Sequence, residues 1–177
     1  MAINKGYLTA KTNKLSDEYY TPKEAVLPIL QYVDKGNKTN YTIWCPFDDE
    51  TSEYVKCSKE EGYNVIYSHI DEGKNFFYYE PEEPYDCIIS NPPFSLKDDV
   101  LKRLNELNKP YAILLPLPTL QGQKRFKYLI DSEVLIFDKR INFWQDKEHT
   151  KMAKGVAFAS IYICKNFLPE PLIFKIL

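Results

Sequence analysis

The pentapeptide Ser90-Asn91-Pro92-Pro93-Phe94 follows directly on the apolar run Tyr85-Asp86-Cys87-Ile88-Ile89. Two successive prolines remove two backbone donors and fix φ, so a strand that stops there cannot go on pairing with a sheet neighbour. Asn91 contributes a side-chain carbonyl, the adjacent Pro92 a backbone carbonyl, and Phe94 a flat face. Two converging acceptors beside an aromatic plane suit a flat ring that bears an exocyclic NH₂. The acceptors would take the amino hydrogens while the ring stacks on Phe94, a contact worth about 1–3 kcal/mol per base.

The elements that must hold this turn alternate between apolar runs of strand length and helical stretches, the pattern of a mostly parallel sheet covered by helices. Thr21-Pro22-Lys23-Glu24 reads as a capping box with proline at the first helical position, and Pro28 must kink or shorten the helix it opens. Residues 41–45 (YTIWC) predict a strand. Asp48 and Asp49 predict the cap of a helix through Tyr54 and Val55 that stops at Gly62. Residues 63–70 and 85–90 predict further strands, and Ser95 with Asp98 a second capping box that starts a helix with Leu96, Val100, Leu101, Leu104 and Leu107 on one face. Beyond it come a strand at 111–116, a helix near 120–130, a strand at 133–137, and a closing antiparallel hairpin from 156–164 and 171–176. SNPPF thereby falls at the carboxyl end of a central strand, the edge at which open α/β sheets bind ligands.

At 177 residues and 44% hydrophobic, the chain fits one compact α/β domain over 1–177, with 1–16 as a flexible arm. Its longest apolar stretch, residues 111–120, is too short and too broken by proline to cross a bilayer, and the first residues lack a signal-peptide core, so a soluble cytoplasmic protein is expected. Cys45, Cys57, Cys87 and Cys164 show no C-x-x-C spacing, and neither metal nor disulfide is expected. The net charge of −2 argues against avid unassisted binding to a polyanion. Its distribution is uneven: residues 48–86 hold twelve Asp/Glu against three Lys, whereas 121–154 hold eight Lys/Arg against five Asp/Glu. Any polyanion should therefore meet the later segment.

The tetrapeptide Asn91-Pro92-Pro93-Phe94 resembles the (D/N)PP(Y/F/W) catalytic motif of S-adenosylmethionine-dependent amino-methyltransferases, in particular the adenine-N6 methyltransferases of phages and prophages. Residues 17–22 (DEYYTP) resemble the family's N-terminal cofactor segment, 43–56 its first strand and loop, and 71–77 (DEGKNFF) its adenosine-contacting stretch. The resemblance runs in order over 17–130. It implies a single-domain Rossmann-like methyltransferase fold with S-adenosyl-L-methionine as cofactor. Cofactor contacts are then expected from Tyr20, Thr21, Pro22, Pro46, Phe47, Asp48, Asp71, Asn75 and Phe76, and catalysis from Asn91, Pro92, Pro93 and Phe94.

Two departures from the family pattern stand out. Cys45 occupies its acidic position, and Asp48-Asp49-Glu50 fill the place of its Gly-x-Gly loop. A side chain there keeps the backbone away from the cofactor and offers a carboxylate instead. S-adenosylmethionine carries a sulfonium and an ammonium, so Asp48 is expected to bind its cationic end directly. His69 stands near the family's ribose-binding acid, with Asp71 two residues on.

No separate target-recognition domain, of the kind DNA methyltransferases usually add, is expected within these 177 residues. Lys124, Arg125, Lys127, Lys139 and Arg140, interleaved with Phe126, Phe143 and Trp144, are the candidate nucleic-acid contacts. Phe126 fits helix core as well as stacking, and Trp144 is expected to meet a ligand or partner. The expected reaction is methyl transfer to adenine N6, in DNA more than RNA, with weak binding by the chain alone and a partner subunit or homodimer as a further possibility. A protein glutamine amide is a close variant. The alternative is a non-catalytic relative that keeps the fold to bind nucleic acid, nucleotide or a partner protein.

Overall fold

A seven-stranded sheet in the order β2-β1-β3-β4-β6-β5-β7 organises the chain. It is seen in a computed structural model that describes residues 19–34, 36, 38–153 and 158–177. The proposed arm at 1–16, Asp17, Glu18 and the start of the 156–164 strand lie outside the described residues. The strands are β1 (Thr42–Cys45), β2 (Asn64–Tyr67), β3 (Cys87–Ser90), β4 (Tyr111–Pro116), β5 (Glu133–Phe137), β6 (Ser160–Lys165) and β7 (Leu172–Lys175). All pairings are parallel except those of β6, which runs antiparallel to both β4 and β5.

Helices cover both faces, because alternate strand residues are apolar in both directions. From β1, Ile43 and Cys45 pack on one side with Ala25, Val26 and Ile29 of α1 (Lys23–Leu30) and Tyr54 and Val55 of α2 (Glu53–Glu60). Trp44 points to the other side, into a core with Val100, Leu101 and Leu104 of α3 (Lys97–Leu107). The buried Tyr54 and Tyr162 hydroxyls share a 2.8 Å hydrogen bond, and Tyr162 also donates to the Ala25 carbonyl at 3.1 Å. That chain of bonds ties α1, α2 and β6 together. A short helix α4 (Phe126–Leu129) completes the set. Among the described residues no helix is long and apolar enough to cross a membrane, no acid, Cys or His cluster could hold a metal, and all four cysteines are buried free thiols.

Several local expectations change. Neither capping box forms: α1 begins one residue late with Pro22 at its N-cap, and α3 is entered through a 3₁₀ turn at Phe94–Leu96, with Leu96 as cap. Asp98 cannot close its box because its carboxylate is taken by Arg125 at 2.5 Å. The cap of α2 is Ser52, whose hydroxyl accepts from the Tyr54 amide, while Asp48 and Asp49 serve the turn before it. Gly62 does stop α2, at φ +92°. The two last strands are not each other's neighbours. β6 already has β4 and β5 on its two edges, so β7 adds in parallel to the outer edge of β5. The helix near 120–130 shrinks to Phe126–Leu129 after a 3₁₀ turn at Leu117–Leu120, and Phe126 points outward at 60% exposure rather than into the core.

Candidate functional site

The chain leaves β1 toward β2 on one side and β3 toward β4 on the other, so a crevice opens between the carboxyl ends of β1 and β3. A cleft of about 1310 Å³ lies there. One wall is the loop after β1 with the start of α2: Pro46, Phe47, Asp48, Asp49, Ser52 and Glu53. The turn after β3 supplies the floor, Asn91 to Phe94, and residues 69–79 with α3 extend the cleft outward.

Asn91 is fixed from outside the turn. Its Nδ2 donates to the Tyr19 carbonyl at 3.1 Å, and this bond sets which way the amide faces. Oδ1 is left buried without a partner. A buried acceptor with no donor costs about 1–3 kcal/mol, so an arriving N–H has something to gain there. Phe94 is half-buried and meets Phe158 edge to face at 5.2 Å and Phe143 at 6.5 Å; Tyr19 stands 5.8 Å from Phe143. An aromatic cluster thus flanks the orphaned carbonyl.

Asp48 is only 8% exposed. Its Oδ1 accepts from Ser52 Oγ at 2.5 Å and its Oδ2 from Ser90 Oγ, the last residue of β3. Burial lifts its pKa to about 6, against the pull of the two hydroxyl hydrogen bonds. Asp49 behaves oppositely. Burial alone would raise it, but the Lys147 ammonium at 2.7 Å and the Thr51 hydroxyl and amide hold it down at about 2. Two neighbouring carboxylates therefore stand in different environments beside the cleft.

Lys147 arrives on a strap that no local pattern places here. Trp144 exchanges both backbone bonds with Tyr20, at 3.0 and 2.9 Å, and Gln145 and Ala153 bond back across the strap to Lys151 and Phe143. The Trp144 ring is stacked on His149 at 5.5 Å, and His149 Nδ1 lies 3.6 Å from Glu53. Trp144 is thus engaged within the strap, while Lys147 and His149 line the cleft.

The expected site residues divide accordingly. Tyr20, Thr21, Pro46, Phe47, Asp48, Asp71, Asn75 and Asn91 to Phe94 all line the one cleft; Pro22 is buried at the head of α1 and does not. Phe76 reaches the cleft wall but is 2% exposed, packed 4.8 Å from Phe47 and 5.6 Å from Trp44, which makes it a core residue; Phe77 beside it is the more open ring. Asn75 Oδ1 closes a turn on the Phe77 amide at 3.0 Å. Lys124, Arg125, Lys127, Lys139 and Arg140 lie outside the cleft lining. Arg125 is committed to Asp98 and to the Gln121 carbonyl, and Lys127 sits 4.9 Å over the Tyr128 ring. Ser90, Ser52, Tyr19, Lys147 and His149 were not singled out as site residues, although Tyr19 and Ser52 lie in the two segments matched to the family's cofactor stretches and Ser90 closes the apolar strand before Asn91.

No protein-family model matches the chain, and no curated protein does. Solved structures do. A Listeria monocytogenes protein described as a class I S-adenosylmethionine-dependent methyltransferase superposes with a TM-score of 0.50 at 14% identity, covering 89% of this chain and 65% of that one. The type I restriction-modification methyltransferase subunit of Streptococcus thermophilus gives 0.53 at 14% identity, covering 90% of this chain and 47% of that one. The fold is a methyltransferase fold. The chain spans less than two thirds of either structure's length. Within this methyltransferase fold, SNPPF and the Asp48 loop occupy the two sides of the strand-order switch, and the Ser90 to Asp48 bond joins them.

Proposed function

We propose that the protein binds S-adenosyl-L-methionine in this cleft and transfers its methyl group to an exocyclic amine, adenine N6 of DNA or RNA. The observation that carries the proposal is the Asn91 carbonyl: buried, unpartnered, and held in one orientation by Tyr19. It is an acceptor waiting for an N–H donor, beside an aromatic ring on which a base can stack. The residues present also fit the cofactor. Asp48 and Asp49 offer negative charge to a cationic amino-acid end, Asp71 and Asn75 offer polar groups further along, and Phe77 offers a ring. The cleft volume lies above the ~300–1,000 Å³ of a single-ligand pocket, which leaves space for a second ring beside the first.

Bound S-adenosylmethionine would supply an activated methyl group on a sulfonium. The protein's part is placement, since methyl displacement needs the acceptor nitrogen about 3–3.5 Å from the methyl carbon and in line with the breaking bond. Asn91 Oδ1 and the Pro92 carbonyl hold the two amino hydrogens and stabilise the positive charge that develops on nitrogen as it attacks. No general base is required for that step. Phe94 holds the ring plane, and a base within a duplex must be flipped out to reach it. Lys124, Lys127, Lys139 and Arg140 are proposed to meet the flanking backbone. They follow β4 and β5, whose carboxyl ends share the sheet edge with Asn91.

Calorimetric titration with S-adenosylmethionine and with its demethylated product tests the proposal, followed by tritiated methyl transfer to adenine-containing DNA and RNA. Micromolar binding and label on adenine are expected. No heat and no thermal shift at millimolar cofactor would remove the enzyme reading, and binding without transfer to any amine would leave the non-catalytic alternative.

A further inference from the structure

The outer strand β7 is bonded to β5 on one side and, among the described residues, to no strand on the other. Its backbone alternates cleanly. The Pro171 and Lys175 carbonyls accept from the Val134 and Asp138 amides at 2.9 Å, and the Leu177 amide donates to Asp138 at 2.9 Å, so the odd-numbered residues turn their polar groups inward. Leu172, Phe174 and Ile176 therefore turn their N–H and C=O groups outward, along the open edge. The same three residues carry the exposed side chains, at 48%, 70% and 84%. Lys175 does not guard this face, because its ammonium reaches back to Gln31 and lies 5.3 Å over the Tyr32 ring.

We propose that β7 is the interface at which two copies of this chain pair, antiparallel about a two-fold axis at Phe174, to form one continuous sheet. The pattern is self-complementary. Phe174 would face its own mate as a hydrogen-bonded pair that exchanges both backbone bonds, and Leu172 would face Ile176 of the other copy on either side in the same way. Apolar side chain then meets apolar side chain at all three of these pairs, Ile173 faces Lys175 of the other copy between them, and no like charges are opposed. An edge that natural proteins usually blunt with lysine, proline or a bulge is here left open over its whole described length. The interface is a single strand wide, so the dimer should be reversible at micromolar concentrations and should leave the cleft edge of the sheet uncovered.

Sedimentation velocity across a concentration series, together with hydrogen exchange at Phe174, tests this in the full chain. The expected result is a monomer–dimer equilibrium with slowed exchange of the Phe174 amide in the dimer. Phe174→Lys and Phe174→Glu each place like charges opposite one another at the axis, so each alone should be monomeric, and an equimolar mixture should dimerise again. Phe174 is exposed enough that both variants should keep the wild-type melting temperature closely. A wild type that stays monomeric at several hundred micromolar, variants that dimerise alone, or a mixture that fails to recover the dimer would each overturn the proposal. So would slow exchange at Phe174 in a monomer, which would mean that another part of the same chain covers the edge.

Discussion

Ser90 Oγ donates a hydrogen bond to Asp48 Oδ2 across 42 positions of sequence. The donor ends the strand that leads into Asn91, and the acceptor sits in the loop that follows the neighbouring strand. One buried bond thereby sets the spacing between the two halves of the cleft.

Ser90→Ala should loosen that spacing and leave Asp48 buried with one hydroxyl instead of two. Loss of a hydrogen bond to the ionised carboxyl disfavours its charged form, so the Asp48 titration midpoint should move upward from about 6. Carbonyl-carbon NMR titration of wild type and variant reads this directly. An unchanged midpoint would show that the bond contributes nothing to the charge state.

The sign of the Asp48 effect on stability follows from linkage. Its folded pKa is raised from 3.8 to about 6, so between those values the native state holds more protons than the unfolded one. Stability should therefore fall as pH rises from about 4 to 6, by on the order of 3 kcal/mol from this group, and Asp48→Asn should remove the fall. Asp49 acts in the opposite sense and lower down: its depressed pKa contributes stability that is lost as pH drops below 4 toward 2. Urea denaturation at a series of pH values separates the two. If Asp48 meets the cationic end of the cofactor, affinity should rise over the same interval in wild type and stay flat in Asp48→Asn.

Asn91→Ala gives up the bond to Tyr19 and also removes an acceptor that had no donor, so its melting temperature should change little. Methyl transfer should nevertheless drop by about 10²–10³-fold with cofactor affinity retained, the scale of one lost preorganised polar contact. Phe94→Leu should instead raise KM for the target, because stacking acts in ground and transition states alike. A merely structural turn would give the reverse: a lower melting temperature for Asn91→Ala and no separation between the two kinetic constants.

Nucleic-acid affinity should be weak and salt-steep, given the slightly acidic chain and the few basic groups outside the cleft. Lys139→Ala and Lys124→Ala should each lower affinity and flatten the salt slope without affecting folding. Arg125→Ala should act mainly on stability, since its guanidinium is spent on Asp98 and Gln121. Fluorescence anisotropy with single-stranded and duplex oligonucleotides, read beside thermal melts, distinguishes the two kinds of residue.

Much of the site was legible because its residues are close in sequence and chemically unusual. Asn-Pro-Pro-Phe after an apolar run specifies a strand that must end and a carbonyl that must be used elsewhere, and covalent geometry alone dictates both. Period and punctuation likewise placed every strand and the Gly62 stop, since these depend on neighbours within a few residues. What could not be read depends on partners far along the chain. Both capping boxes were plausible locally, yet Asp98 went to Arg125 and α3 was entered by a 3₁₀ turn. Phe76 looked like a ligand ring until Trp44 and Phe47 closed around it. Lys147 reached Asp49 across 98 positions, β7 went to β5 because β6 had no free edge, and Tyr19 selected which end of the Asn91 amide faces the cleft. The sequence by itself determined where the strands and the main helices lie and the chemical character of the turn, through local propensity and periodicity. Only the tertiary structure decided which carboxylate is buried, which carbonyl is left without a donor and which edge is left open, because each is set by what else fills the space around it.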